Sequence, residues 1–125
     1  MAISRDIKIS IETQYREEQS LPMQQRFVFS YTITIRNYSH EMIQLMERYW
    51  QITDGNGAEH TVQGEGVVGQ QPTIAPGQAF QYTSGSVLET PFGTMQGHYL
   101  MQLLNGDQFQ VPIPVFRLNA THQLH

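Results

Sequence analysis

Three glycines of this chain, Gly64, Gly66 and Gly69, have the Gly-x-Gly-x-x-Gly spacing of loops that bind the pyrophosphate of a dinucleotide. In such loops a helix follows the glycines, and the pyrophosphate binds at the N-terminus of that helix. Here Pro72 and Pro76 follow instead, so a helix of useful length cannot form. The sequence therefore disfavours a dinucleotide-binding domain.

Two other interpretations of residues 64–69 remain open. The glycines can shape a loop, because glycine adopts positive φ angles and allows two backbones to approach closely. Alternatively, the backbone N–H groups around Gly64, Gly66 and Gly69 can form a concave site for an anion such as pyrophosphate. We favour the first interpretation and keep the second as a testable alternative.

The five histidines of the chain do not form a metal-binding pattern. They show neither the His-x-His nor the His-Glu-x-x-His spacing. His60 follows Glu59, but neighbouring residues of a strand point to opposite faces and cannot readily share one ion. We therefore predict no metal site. The histidines are His40, His60, His98, His122 and His125.

Catalytic residues are equally hard to assemble. Ser84, His98 and Asp107 supply the residue types of a hydrolytic triad, but no Gly-x-Ser-x-Gly motif surrounds the serine. The chain has no cysteine, which excludes thiol catalysis, disulfides and cysteine-bound zinc. We predict a protein that is not an enzyme and that needs no cofactor.

Charge and hydropathy exclude two classes of partner. The net charge is −4, and the seven Lys and Arg residues are spread between Arg5 and Arg117, so no basic patch for nucleic acid is expected. No apolar stretch approaches the roughly 20 residues that cross a bilayer, so no membrane partner is expected. The first residues lack the apolar segment of a secretory signal. These features predict a cytoplasmic protein.

The elements that must position these residues have the two-residue period of β-strands. Residues 7–11 and 27–36 alternate apolar and polar side chains. Residues 42–48 fit either a short helix or a strand, and we favour a strand that continues through Ile52. A short partner strand is expected at 59–62, and a loop at 64–77. Seven or eight short antiparallel strands without a periodic helix indicate a single all-β sandwich over residues 1–125.

The last hairpin permits a prediction of register. A three-residue loop at 105–107 brings Leu103 opposite Phe109 and places the apolar residues of both strands on one face, whereas a two-residue loop separates them. Pro112 and Pro114 cannot donate hydrogen bonds, so their strand is expected at a sheet edge.

Arg48 has an unusual predicted position for a charged residue. It falls on the same face of its strand as Trp50, so either a bulge intervenes or the arginine reaches the rim of the sandwich. This position makes Arg48 a candidate for an interaction surface. A buried Trp50 would also need a partner for its indole N–H.

Four segments together resemble the bacterial ApaG family: RYWQITDG at 48–55, VQGEGVVGQQP at 62–72, FQYTSG at 80–85 and TPFGTMQG at 90–97. The resemblance covers most of the chain. It implies a fibronectin type III/immunoglobulin-like β-sandwich. It also implies relatives within larger eukaryotic proteins, including F-box substrate adaptors and a DNA polymerase delta-interacting protein, where the domain serves protein interaction.

The resemblance further implies links to a diadenosine tetraphosphatase gene and to cobalt and magnesium tolerance, but no set of catalytic residues. We therefore predict a non-enzymatic module that binds a protein partner, with a homodimer as one form of such pairing. The alternative is a small-ligand module that binds pyrophosphate, a dinucleoside polyphosphate or a divalent cation (Mg²⁺ or Co²⁺) at residues 64–69.

Overall fold

A computed structural model describes residues 2–120, and in this part of the chain eight strands form two antiparallel sheets. The strand order is β1-β2-β6 in the first sheet and β4-β3-β7-β8 in the second, where β5 pairs with the start of β3. This arrangement confirms the predicted all-β sandwich. The strands are β1 Ile7–Tyr15, β2 Phe27–Asn37, β3 Ile43–Asp54, β4 Glu59–Glu65, β5 Thr73–Ile74, β6 Ala79–Leu88, β7 Phe92–Leu103 and β8 Gln108–Asn119.

Short 3₁₀ turns supply the helical content of the described residues. No helix within residues 2–120 has the length and apolar character that crossing a bilayer requires. The turns are Ala2–Asp6, Glu17–Gln19 and Pro22–Gln24.

The core lies between the sheets and is built around Trp50. Edge-to-face contacts join this indole to Tyr31 of the first sheet, and to Tyr99 and Phe116 of the second, at ring-centroid distances of 5.6, 6.5 and 5.7 Å. Strand alternation supplies the remaining apolar side chains of both inner faces. Fully buried members include Phe29, Ile33, Ile35, Ile43, Leu45, Met95, Met101, Val111 and Leu118.

A β-bulge at Met46 decides which residues of β3 face the core. Leu45 lies opposite Met101 of β7, but Glu47 lies opposite the next residue, so Met46 is extra. A bulge shifts the inward-facing positions by one residue. Leu45 is buried before the bulge, and Arg48 and Trp50 line the space between the sheets after it.

The two lateral sides of the sandwich differ. On the closed side, β1 contacts β8 across the sheets. On the open side, β4 and β6 are the end strands of their sheets. Six of the seven residues of β4 are exposed, including His60 and Val62, which pair with Ile52 and Trp50.

Two predictions about strand β3 and the segment that follows β4 can be compared with the structure. The ambiguous segment at 42–48 belongs to strand β3, as favoured. The predicted loop at 64–77 was too long, because β4 continues through Glu65 and β5 lies within it. Gly64 can stay in the strand because its missing side chain leaves room for the Arg48 guanidinium above it.

In the β7–β8 hairpin, the apolar side chains lie on the predicted face, but the residues that lie opposite one another differ from the prediction. Its loop has three residues, 104–106, with Leu103 N–H donating to Asp107 O. Met101 therefore lies opposite Phe109, two residues from the predicted pairing, and both strands still bury their apolar side chains on one face. The proline-containing strand β8 is an edge strand, as predicted.

Candidate functional site

A cleft of about 300 Å³ opens between the two sheets on the open side. We call it the Arg48 cleft. Its walls come from β2 and β6 of the first sheet, from β3 of the second sheet, and from the end of β4 and the turn that follows it. The residues that matter for its chemistry are Tyr31, Arg48, Trp50, Val68, Tyr82 and Ser84.

Arg48 is the cation of this cleft and is only partly exposed. Its Nη1 donates to the carbonyl oxygens of Glu65 and Gly66, at 3.1 and 2.9 Å. A Cβ built on Gly64 would lie 3.0 Å from Nη1, so the guanidinium rests on the bare backbone of β4. Within the described part of the chain, no carboxylate forms an ion pair with Arg48. Of the two sequence alternatives, the second holds: the register from Arg48 to Trp50 is regular, because the bulge lies upstream at Met46, and Arg48 reaches the rim.

Two tyrosine hydroxyls meet beneath the cleft. The hydroxyl oxygens of Tyr82 and Tyr99 are 2.6 Å apart, and Tyr99 is fully buried. Either hydroxyl can be the donor of this bond, and the hydroxyl that accepts keeps its own hydrogen for another acceptor. Burial raises the pKa of both phenols above the ordinary value of 10.0, and they stay protonated at neutral pH.

Tyr31 and Ser84 form the opposite wall. They are direct cross-strand partners of β2 and β6. Burial raises the pKa of Tyr31, while the Ser84 hydroxyl and the Arg48 charge oppose that rise. The cleft therefore holds one guanidinium and several protonated hydroxyls, with the exposed carboxylate of Glu65 at its edge.

The turn after β4 closes one end of the cleft. Val67 and Gln70 exchange two backbone hydrogen bonds of 2.8 Å, and Val68 and Gly69 between them have φ angles of 43° and 79°. Two consecutive positive φ angles are characteristic of a type I′ turn, which favours Asn-Gly. A β-branched valine at such an angle is a strained outlier, and this valine is 51% exposed.

Gly66 joins β4 to this turn, and its position accommodates only glycine. Its φ is 63°, and a Cβ at this position would collide with the Gln70 carbonyl oxygen. Its N–H donates to Met46 O over 2.9 Å, so the bulge of β3 anchors the turn. The amide of Gln71 donates to the same carbonyl oxygen.

The three predicted glycines thus occupy different settings. Gly64 lies under Arg48 in β4, Gly66 makes the corner, and Gly69 completes the turn. The N–H groups of Gly66, Val67 and Gln70 donate to backbone carbonyls of the chain itself. These bonds reduce the donors available to a backbone anion site. Binding at residues 64–69 remains a prediction.

Trp50 contributes an unusual polar atom to the cleft region. Its side chain is 2% exposed, and the indole Nε1 has no hydrogen-bond partner among residues 2–120. The expected partner for a buried Trp50 is therefore not found in the described chain. An unpaired buried donor costs free energy, on the order of 1–3 kcal/mol.

The other predicted chemical residues are scattered. Ser84 faces the cleft, whereas His98 stacks on Tyr49, with ring centroids 5.1 Å apart, and Asp107 hydrogen-bonds with Asn105 in the last hairpin. No hydrogen bond joins Ser84, His98 or Asp107 to another of the three. No group of three His, Asp or Glu residues within 2–120 could hold a metal ion. The predictions for His122 and His125 lie outside the described residues.

Sequence reasoning missed the tyrosines of the cleft. Tyr31, Tyr82 and Tyr99 were not singled out as candidate site residues. Their signal was present, because all three occupy inward-facing positions of strands, where a phenol hydroxyl must find a partner.

The fold and the cleft define a fibronectin type III/immunoglobulin-like β-sandwich with a polar opening between its sheets. A family model of the ApaG domain matches residues 17–103. The chain belongs to the ApaG domain family. It is 55% identical to Protein ApaG of Enterobacter sp. (strain 638), over the whole length of both chains.

Two solved structures agree with this assignment. An X-ray structure from a structural genomics consortium has a TM-score of 0.92 and 47% identity, and the match covers 98% of this chain and 93% of that one. A Bordetella pertussis protein assigned as ApaA has a TM-score of 0.90 and 47% identity, with 94% and 96% of the two chains covered.

Proposed function

We propose that this protein is a non-enzymatic binding module that holds a protein partner on its open side. One observation carries the proposal: the inner face of β4, including Val62, is exposed on the open side. A sheet face and two end strands without neighbours offer apolar surface and main-chain hydrogen bonds to an added segment. A second copy of this chain could supply that segment, and would then form a homodimer. The absence of cysteine supports a reducing, cytoplasmic setting.

A matched pair of variants tests the proposal. Val62→Lys places a charge on the open side, and Val115→Lys places the same charge on edge strand β8, where Val115 is 59% exposed. Quantitative capture from lysate should recover a protein with wild type and with Val115→Lys, but not with Val62→Lys. Equal recovery by the two variants, or no reproducible partner for wild type, would remove the support for this function. Thermal melts establish that both variants are folded.

The alternative function is the binding of a phosphate-containing ligand at residues 64–69. The observation in its favour is the Arg48 guanidinium, which lies against Gly64. The cleft of about 300 Å³ is at the lower limit of ligand pockets and would admit pyrophosphate more easily than a whole dinucleoside polyphosphate. Residues 2–120 contain no group of three metal ligands that would support direct binding of cobalt or magnesium.

A thermal-shift panel separates this alternative from the first proposal. Pyrophosphate, ADP, a diadenosine polyphosphate, Mg²⁺ and Co²⁺ are each added at a large excess. A ligand at a hundredfold excess over its Kd stabilises the native state by about 2.7 kcal/mol. If pyrophosphate raises the melting temperature of wild type but not of Gly64→Ala, the alternative is favoured. If no ligand of the panel changes the melting temperature, the result argues against it.

A further inference from the structure

We infer that the Arg48 cleft receives the carboxylate of an aspartate or glutamate side chain presented by a protein partner. The inference rests on the proposed function, since the partner segment would lie on the same open side. It adds the chemical identity of the group that anchors that segment.

The charge of Arg48 is the first argument. The guanidinium is partly removed from water, and the described residues give it two carbonyl acceptors but no carboxylate. Both of those bonds use Nη1, and none of the hydrogen bonds found within 2–120 uses Nε or Nη2. That free edge has the geometry that binds a planar carboxylate through two parallel hydrogen bonds.

The hydroxyl groups of the cleft are the second argument. Tyr82, Ser84 and Tyr31 each place a hydroxyl on the wall of the cleft, and Tyr82 can donate to a ligand there when it accepts from Tyr99. A guanidinium and several donors suit a ligand that only accepts hydrogen bonds. An ionised carboxylate is such a ligand, whereas an amide or an ammonium group is not.

Charge favours a carboxylate over a phosphate group. Arg48 contributes one positive charge to the cleft, while the Glu65 carboxylate at its edge is exposed to solvent. A carboxylate carries one negative charge, which Arg48 can match, whereas a phosphate monoester carries about −1.5 to −2 charges and exceeds it. Val68 and Val62, which are 51% and 39% exposed, lie near this opening and can contact the aliphatic part of an acidic side chain.

The position of the cleft along the strands indicates a side chain rather than a chain end. Tyr82 and Ser84 lie in the middle of β6, and a second cleft further along this side is lined by His60 and Leu88. A segment lying along β6 can therefore continue beyond Arg48 and present an internal residue.

Selection from a library of random peptides displayed internally on a carrier tests the inference with the full chain. We expect the selected peptides to share one acidic position. Replacing that residue by its amide (Glu→Gln or Asp→Asn) in the synthetic peptide should weaken binding about tenfold or more, the loss of one charge-assisted pair. Amidation of the peptide C-terminus should leave binding unchanged.

Variants of the protein locate the acidic position in the cleft. Arg48→Gln should lose the preference for the acidic peptide over its amide, while Arg36→Gln, on the exposed face of β2, should keep it. Gly64→Ala provides a second test that preserves the charge, because its Cβ would displace the guanidinium from β4. It should reduce the same preference even if Arg48→Gln fails to fold.

The outcomes distinguish this inference from the function on which it rests. Peptides that bind wild type, are blocked by Val62→Lys and show no need for an acidic residue would leave the proposed function standing and overturn the inference. Sensitivity to C-terminal amidation would also overturn it, in favour of a chain end. Tighter competition by inorganic phosphate than by N-acetylglutamate would overturn it in favour of a phosphate ligand.

Discussion

The closed and open sides of the sandwich join the same two sheets in different ways. On the closed side, β1 meets β8, and β8 buries Val111 and Leu118 almost completely. On the open side, most residues of β4 are exposed, Val62 is 39% exposed, and the space between the sheets contains Arg48 and hydroxyl groups. Apolar contact between the sheets stabilises the fold on the closed side, whereas the open side has polar groups in the space between them.

The largest effect expected from this comparison comes from one chemical change made on both sides. Val111→Ala, at a residue that is 1% exposed, should lower the free energy of unfolding by about 2–3 kcal/mol, because it removes buried methyl groups and leaves a cavity. Val62→Ala should lower it by less than about 1 kcal/mol. Urea denaturation followed by Trp50 fluorescence measures both. Equal losses would show that the open side is as well packed as the closed one.

The corner of the open side should depend on glycine in a graded way. Gly66→Ala combines a positive φ with a collision against Gln70 O, so we expect a loss of about 2 kcal/mol. Gly69→Ala has the positive φ but no atom within 4 Å of the new Cβ, and should cost about 1 kcal/mol. Thermal unfolding with matched urea midpoints measures the difference. A loss for Gly69→Ala as large as that for Gly66→Ala would contradict the close contact with Gln70.

Strand alternation was enough to predict much of the fold. Residues 7–11 and 27–36 alternate clearly, and both became strands whose apolar side chains face the core. The sequence also predicted that Met101 and Phe109 share a face. A register shifted by one residue would place the apolar residues of β7 and those of β8 on opposite faces of the sheet. The sequence did not predict that Met101 pairs with Phe109. A register shifted by two residues keeps the same side chains on the same face, so only the geometry of the loop distinguishes the two registers.

The candidate site was less predictable than the fold. The sequence pointed to Arg48 and to the three glycines, which do lie together at the open side. Met46 O at the bulge accepts from the N–H of Gly66, twenty residues further along the chain, a contact that the local pattern of apolar residues does not reveal. The meeting of Tyr82 with Tyr99 joins two sheets, and the spacing of residues along the chain carries no information about such a contact.

The tyrosines between the sheets should make stability depend on alkaline pH. Burial raises the pKa of Tyr31, Tyr82 and Tyr99 above 10.0, so these phenols keep their protons in the folded state while the unfolded chain loses them. The stabilisation is complete below pH 10 and is lost above it, with a slope of up to about 1.4 kcal/mol per pH unit for each tyrosine. Urea midpoints at several pH values measure the slope.

Substitution of single tyrosines assigns that slope to the region between the sheets. Tyr99→Phe should reduce the slope above pH 10, because one titrating group is removed. Tyr38→Phe, at a residue that is 61% exposed, should leave the slope as it is in wild type. An unchanged slope in Tyr99→Phe would show that this phenol does not couple to folding.

The smallest expected effect concerns the strained turn at the mouth of the Arg48 cleft, and its sign is stabilising. Val68 has a φ of 43°, and asparagine adopts this region more easily than a β-branched residue does. Val68→Asn should therefore raise the free energy of unfolding by about 0.5–1 kcal/mol. Val87→Asn, at a similarly exposed valine within β6, should lower it slightly, because asparagine is disfavoured in strands. Strained residues concentrate at binding sites, so a strained and exposed valine is a candidate contact for the partner. If Val68→Asn stabilises the protein and also weakens capture of the partner, the valine contacts the partner. If Val68→Asn destabilises the protein, the valine is not strained.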